Sequence, residues 1–133
     1  MDEEFLSDLE GVAETDGRYA KAAYLFLYDA LQYTVGKHGK TSLAKEQRHI
    51  GGVDLLHGVA EYALDRFGPL AFTVLHHWGV TKTEDFGNIV FNLVDAKLMS
   101  KTEDDRPQDF VDVFDFEEAF NWKKRRTEIR NLA

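Results

Sequence analysis

Asn88 and Asn92 stand one helical turn apart in a stretch whose apolar residues recur at helical spacing. On the second helix of a helix-turn-helix, asparagines can present paired donors and acceptors to base edges in a DNA major groove. The flanking Glu84, Asp85 and Asp95 oppose that chemistry, because they would repel the phosphate backbone. Asp85, Asn88, Asn92 and Asp95, with the apolar Phe91 as anchor, instead suit contact with another protein. The plainer alternative for Phe91 is packing within its own fold. A second candidate is the basic run Lys123, Lys124, Arg125, Arg126 and Arg130 behind Trp122, since nucleic-acid tails combine cations with aromatic rings. A solvated helix end, or a tail lying on its own acidic surface, accounts for the same residues.

Other constellations carry less chemistry. His57 and Glu61 have the i, i+4 spacing that can share a metal ion, yet nothing nearby supplies a third or fourth ligand. Glu61 is then expected to steady His57 at the edge of the core. Adjacent His76 and His77 point about 100° apart on a helix and do not converge on one ion. Glu103-Asp104-Asp105 lacks the glycine and the terminal glutamate of a calcium loop. Gly51-Gly52 ahead of a helix could hold an anion but is better explained as a tight turn. Tyr19, Tyr24, Tyr28 and Tyr33 could line a ligand pocket, although aromatic residues at helical spacing usually belong to a core. No nucleophile elbow, phosphate loop or dinucleotide fingerprint occurs, so neither catalysis, a cofactor nor a metal is expected.

Composition bounds the possibilities further. With 133 residues, 44% of them hydrophobic and 13% aromatic, the chain suffices for one domain with a well-filled core. Ten glycines and two prolines do not suggest disorder. The net charge of −8 is unevenly spread. Residues 1–20 hold seven acids and one base, and residues 81–120 hold eleven acids and four bases. Residues 21–80 are close to balanced, with six bases against five acids, and residues 121–133 are basic, with five bases against one acid. Such a surface selects against phosphate backbones and keeps a protein soluble. Cysteine is absent, excluding disulfides and thiolate chemistry. The start Met-Asp-Glu-Glu is unlike a signal peptide, and no apolar run approaches ~18 residues, so a cytoplasmic protein without a membrane partner is expected.

The elements that must position these residues follow from periodicity and punctuation. A helix over residues 3–14 is expected to dock loosely through Phe5, Leu6, Leu9 and Val12, and Thr15-Asp16-Gly17 breaks it. Arg18 to Lys37 carries an apolar stripe wide enough for a central helix. Lys40 to Arg48 reads as a loop, and Val53 to Phe67 as an amphipathic helix closed by Gly68. Pro69 opens a short helix ending near Trp78. Thr81 and Glu84 have capping-box spacing ahead of a helix from Thr83 to Lys97. Leu98–Thr102 and Phe110–Phe116 read as strands joined by the loop Glu103–Asp109. Helix, turn, helix and acidic hairpin together give the order of a winged helix.

Several runs resemble a family of uncharacterised bacterial proteins associated with planctomycetes and verrucomicrobia. They are His49-Ile50-Gly51-Gly52-Val53-Asp54-Leu55-Leu56, Glu61-Tyr62-Ala63-Leu64 with Phe67-Gly68-Pro69, and Trp78-Gly79-Val80 continuing from Thr83 through Val94. Residues 98–105 and 115–120 fit as well, so the resemblance covers most of residues 19–120. Gly51 departs from the serine or threonine expected there, although glycine caps a helix nearly as well. The resemblance implies membership of that family and no particular activity, cofactor or partner.

The expected protein is therefore one mainly α (α+β) domain over residues 1–133. It comprises a loosely docked helix (1–16), core helices (18–67), a winged-helix-like unit (68–116) and a tail (117–133). The expected function is a non-enzymatic module that binds another protein, or a second copy of itself, through an acidic winged-helix-like face of Asp85, Asn88, Phe91, Asn92 and Asp95. The alternative is a nucleic-acid-associated regulator acting through Lys123, Lys124, Arg125, Arg126 and Arg130.

Overall fold

A computed structural model describes residues 2–44 and 47–123. The elements are α1 (Glu3–Asp16), α2 (Lys21–Lys37), α3 (Gly52–Phe67), α4 (Ala71–His77), α5 (Thr83–Asp95) and α6 (Phe116–Ala119). Short 3-10 turns cover Gly68–Leu70 and Pro107–Phe110. The expectation of a mainly helical domain holds. The winged-helix hairpin does not, because no strand is present among the described residues.

Helix α2 is the centre, as its wide stripe predicts. It buries Ala23, Tyr24, Phe26, Leu27, Ala30, Thr34 and Val35. Around it α1 contributes Leu9 and Ala13, α3 contributes Leu56 and Val59, and α5 contributes Phe86, Ile89 and Leu93. Burying each of the larger apolar side chains is worth about 1.5–3 kcal/mol, which sets the order of this core's contribution. Gly58 lets α3 lie close against α2: a Cβ built there would fall 1.9 Å from Thr34 Oγ1. The Thr34 hydroxyl is satisfied within its own helix, donating to Ala30 O at 2.7 Å.

Helix α1 is docked rather than loose. Its Asp2 cap accepts from Phe5 N–H at 2.7 Å, Leu9 has no exposure, and the Phe5 ring lies 5.0 Å from Tyr28. Gly17, at φ 75°, ends the helix. Ala20 N–H then donates to Trp78 O at 3.1 Å, tying the start of α2 to the end of α4.

The supposed hairpin fails for identifiable reasons. After α5 the chain makes a Schellman stop: Lys97 N–H donates to Val94 O and Leu98 N–H to Leu93 O, both at 2.9 Å, with Lys97 left-handed at φ 62°. This redirects Leu98–Thr102 into turns. In the second segment the alternating Phe110–Phe116 pattern is broken by Asp112, at φ 50°, and by Asp115, which caps α6 by accepting from Glu118 N–H. The backbone groups a partner strand would have used go to α5. Thr83 Oγ1 donates to Phe110 O at 2.6 Å and accepts from Val113 N–H at 3.2 Å, while Glu84 accepts from Asp112 N–H at 3.1 Å. Phe110 itself packs against Gly87, where a Cβ would sit 2.7 Å from its own.

Candidate functional site

Most of the expected interaction face points inward. Asp85 is buried, with 7% exposure, and its carboxylate accepts from Tyr19 OH at 2.6 Å, Thr81 N–H at 2.9 Å and Lys82 N–H at 3.2 Å. Asp85, rather than Glu84, thus satisfies the orphan amides at the start of α5, and Lys82 stands at the cap in place of Thr81. Asn88 donates to Tyr19 OH at 2.9 Å, and Asn92 donates to Tyr24 OH at 3.0 Å. Phe91 is half-buried, edge-on to Phe110 at 6.1 Å, and only Asp95 lies exposed. The polar stripe of α5 therefore ties that helix to the segment before α2 and to α2 itself; its amides donate to tyrosine hydroxyls.

Burial, reinforced by the hydrogen bond to Asp85, pushes the Tyr19 hydroxyl up to about 12. A group whose folded value lies above its ordinary 10.0 contributes stability that is complete below that pH and is lost as pH rises toward about 12. Stability to urea should therefore fall through this window, and Tyr19→Phe should flatten the fall. An equally steep fall in the variant would contradict this placement of the hydroxyl.

The concave feature lies on the other side of α5. A cleft of about 720 Å³ runs between α2, the segment before α3 and the turns after α5. Leu31 and Val35 of α2, Leu55 of α3, Val90 of α5, and Leu98 and Met99 after it contribute apolar side chains to the lining. Phe91 and Tyr28 also line it, so one residue of the expected face and one of the expected aromatic stripe reach this site. Its frame is pinned by polar contacts. His49 Nε2 lies 3.1 Å from Asp105 Oδ1, and Asp105 Oδ2 accepts from Thr102 N–H at 2.7 Å. Lys40 Nζ donates to His49 O at 2.9 Å. Asp105 is thus half-buried and structural rather than a free residue of the loop expected over Glu103–Asp109.

Three cations, Arg48, Lys97 and Lys101, line the same cleft, and Asp105 is the one acid among its described lining residues. None of the three cations forms an ion pair among the described residues. Lys97 holds a left-handed position where a side chain costs about 1 kcal/mol relative to glycine. The sequence reading missed this cluster. Arg48 and Lys97 stand far apart along the chain, and only the packing of the 48–52 segment beside the end of α5 unites them.

The remaining candidates are dispersed. Glu61 forms an ion pair with Lys37 and leaves exposed His57 to pack on Phe114 at 6.1 Å. His76 stacks on Phe72 at 5.8 Å, and no group of three or more His, Asp or Glu side chains among the described residues is placed to hold a metal. Tyr24 is core, while Tyr33 packs on Tyr62 at 5.3 Å. Lys123 is exposed, and Lys124, Arg125, Arg126 and Arg130 lie outside the described residues. No described helix is long and apolar enough to cross a membrane. The chain matches no protein-family model, no curated protein and no solved structure.

Proposed function

We propose that this chain is a non-enzymatic binding module whose working surface is the cleft between α2 and the turns that follow α5. The observation that carries this reading is a cleft of about 720 Å³ whose lining joins apolar side chains to three cations that form no ion pair among the described residues, in a chain of net charge −8. That volume falls in the range of sites that enclose a small molecule or an anchoring side-chain cluster. The proposed binding surface is accordingly not the polar stripe of α5, where Asp85, Asn88 and Asn92 are engaged by neighbours, but the side carrying Val90 and Phe91. Membership of the planctomycete and verrucomicrobial family is a separate proposal, resting on the sequence runs that carry it.

Gln32→Trp tests the reading. Gln32 is exposed on α2 and lines the cleft, so an indole there fills the recess without entering the core. In native mass spectrometry of protein purified gently from its own cells, the unaltered chain should carry a bound mass that the variant lacks. Equal retention by both chains would place binding elsewhere.

A further inference from the structure

We infer that the cleft receives a small anionic amphiphile, an aliphatic or aromatic body ending in one carboxylate or phosphate. This rests on the cleft being the binding surface and adds the chemical class of its occupant. Among the lining residues, Leu31, Val35, Leu55, Val90, Leu98 and Met99 offer apolar side chains to a ligand body. Arg48, Lys97 and Lys101 bring positive charge to the same lining, where Asp105 is engaged by His49 and Thr102; Arg48 Nε donates to Leu43 O at 2.7 Å and Lys101 Nζ to Thr102 O at 3.4 Å, and both side chains keep their charge. A ligand with an apolar body and an anionic head suits both sets at once.

Charge decides between a small ligand and a large acidic partner. Exposed charges are screened beyond about 8 Å at physiological salt, so a head group in the cleft responds chiefly to the nearby cations. An acidic protein seated across the same opening would also meet the surrounding surface, and the chain as a whole carries −8. Its approach would be opposed where a small anion's is not. Lys97 adds an independent observation. The left-handed turn at φ 62° suits glycine, yet a lysine occupies it, and that lysine lines the cleft.

The test is isothermal titration of the full chain with dodecanoate, dodecyl phosphate and dodecyltrimethylammonium, each below its micelle concentration. Both anions should bind, one molecule per chain, and the trimethylammonium probe should bind roughly tenfold more weakly or worse. The double variant Lys97→Glu/Lys101→Glu should lose roughly tenfold or more in anion affinity with an unchanged melting temperature, since both side chains are exposed. Tighter binding of dodecyl phosphate than dodecanoate identifies a phosphate head, and the reverse order a carboxylate. Equal binding of the cationic probe, or anion affinity indifferent to the charge reversal, would overturn the inference. If no probe binds while the native mass measurement still finds a ligand excluded by Gln32→Trp, the ligand class is wrong and the binding surface stands.

Discussion

Gly58→Ala should destabilise the protein by about 3 kcal/mol, lowering its melting temperature by roughly 10 °C. The new methyl carbon would lie 1.9 Å from Thr34 Oγ1 and 2.9 Å from both Thr34 Cβ and Cγ2. Thr34 cannot step aside easily. It is fully buried, β-branched and therefore stiff at χ1, and its hydroxyl is held by Ala30 O at 2.7 Å. The helices must separate instead, opening the seam along which Leu27 and Ala30 of α2 and Leu56 and Val59 of α3 are buried. Alanine gains about 1 kcal/mol over glycine in helix propensity, too little to offset this. Pairing the change with Thr34→Ala removes two of the three clashing atoms and should restore much of the loss. Urea denaturation of the two single variants and the double variant measures the coupling. An unchanged or raised midpoint for Gly58→Ala alone would mean that α2 and α3 do not approach this closely.

Asp85→Ala should cost about 2–4 kcal/mol, because it orphans several donors together. Tyr19 OH loses an acceptor at 2.6 Å and Thr81 and Lys82 lose the carboxylate that receives their backbone N–H groups. The hydroxyl keeps only its bond from Asn88, in which it is the acceptor. Asp85→Asn tests the charge separately. One of its two side-chain atoms becomes a donor facing donors, so the amide should recover only part of the loss. If Asp85→Ala instead leaves stability unchanged and weakens ligand binding, Asp85 belongs to a binding surface and not to the joint between α5 and the segment before α2.

Much of the helical frame is legible in the sequence. The stripe from Tyr19 to Val35 is too wide for a surface helix, and α2 is central. Glycines 17, 68 and 79 fall where α1, α3 and α4 give out, each with positive φ. The hairpin was misread because Phe110, Val113, Phe114 and Phe116 alternate with acids much as a half-buried strand does. The deciding groups are remote: Thr83 and Glu84 capture the backbone at Phe110, Asp112 and Val113. Local pattern does not contain that competition.

The sequence groups Asp85, Asn88, Phe91, Asn92 and Asp95 as an outward surface of α5, because polar residues ordinarily face water, whereas Asp85, Asn88 and Asn92 bond tyrosine hydroxyls. Its partners were also visible as Tyr19 and Tyr24, whose hydroxyls supply the missing acceptors and donor. What the sequence lacked was the pairing of those two sets. The cationic cleft left still less trace. Arg48 sits in a polar loop, and Lys97 and Lys101 are scattered within an acidic segment, so their shared surface exists only in three dimensions.

The most direct measurement of the central claim is a map of backbone amide shifts in the isotopically labelled chain as a small-molecule extract of its own cells is added. Binding at the cleft predicts perturbations concentrated at Leu31, Ile50, Leu98 and Met99, which Gln32→Trp abolishes. Perturbations centred instead on Asp95 and the exposed side of α5, persisting in Gln32→Trp, would contradict the cleft and return the binding surface to the face expected from the sequence.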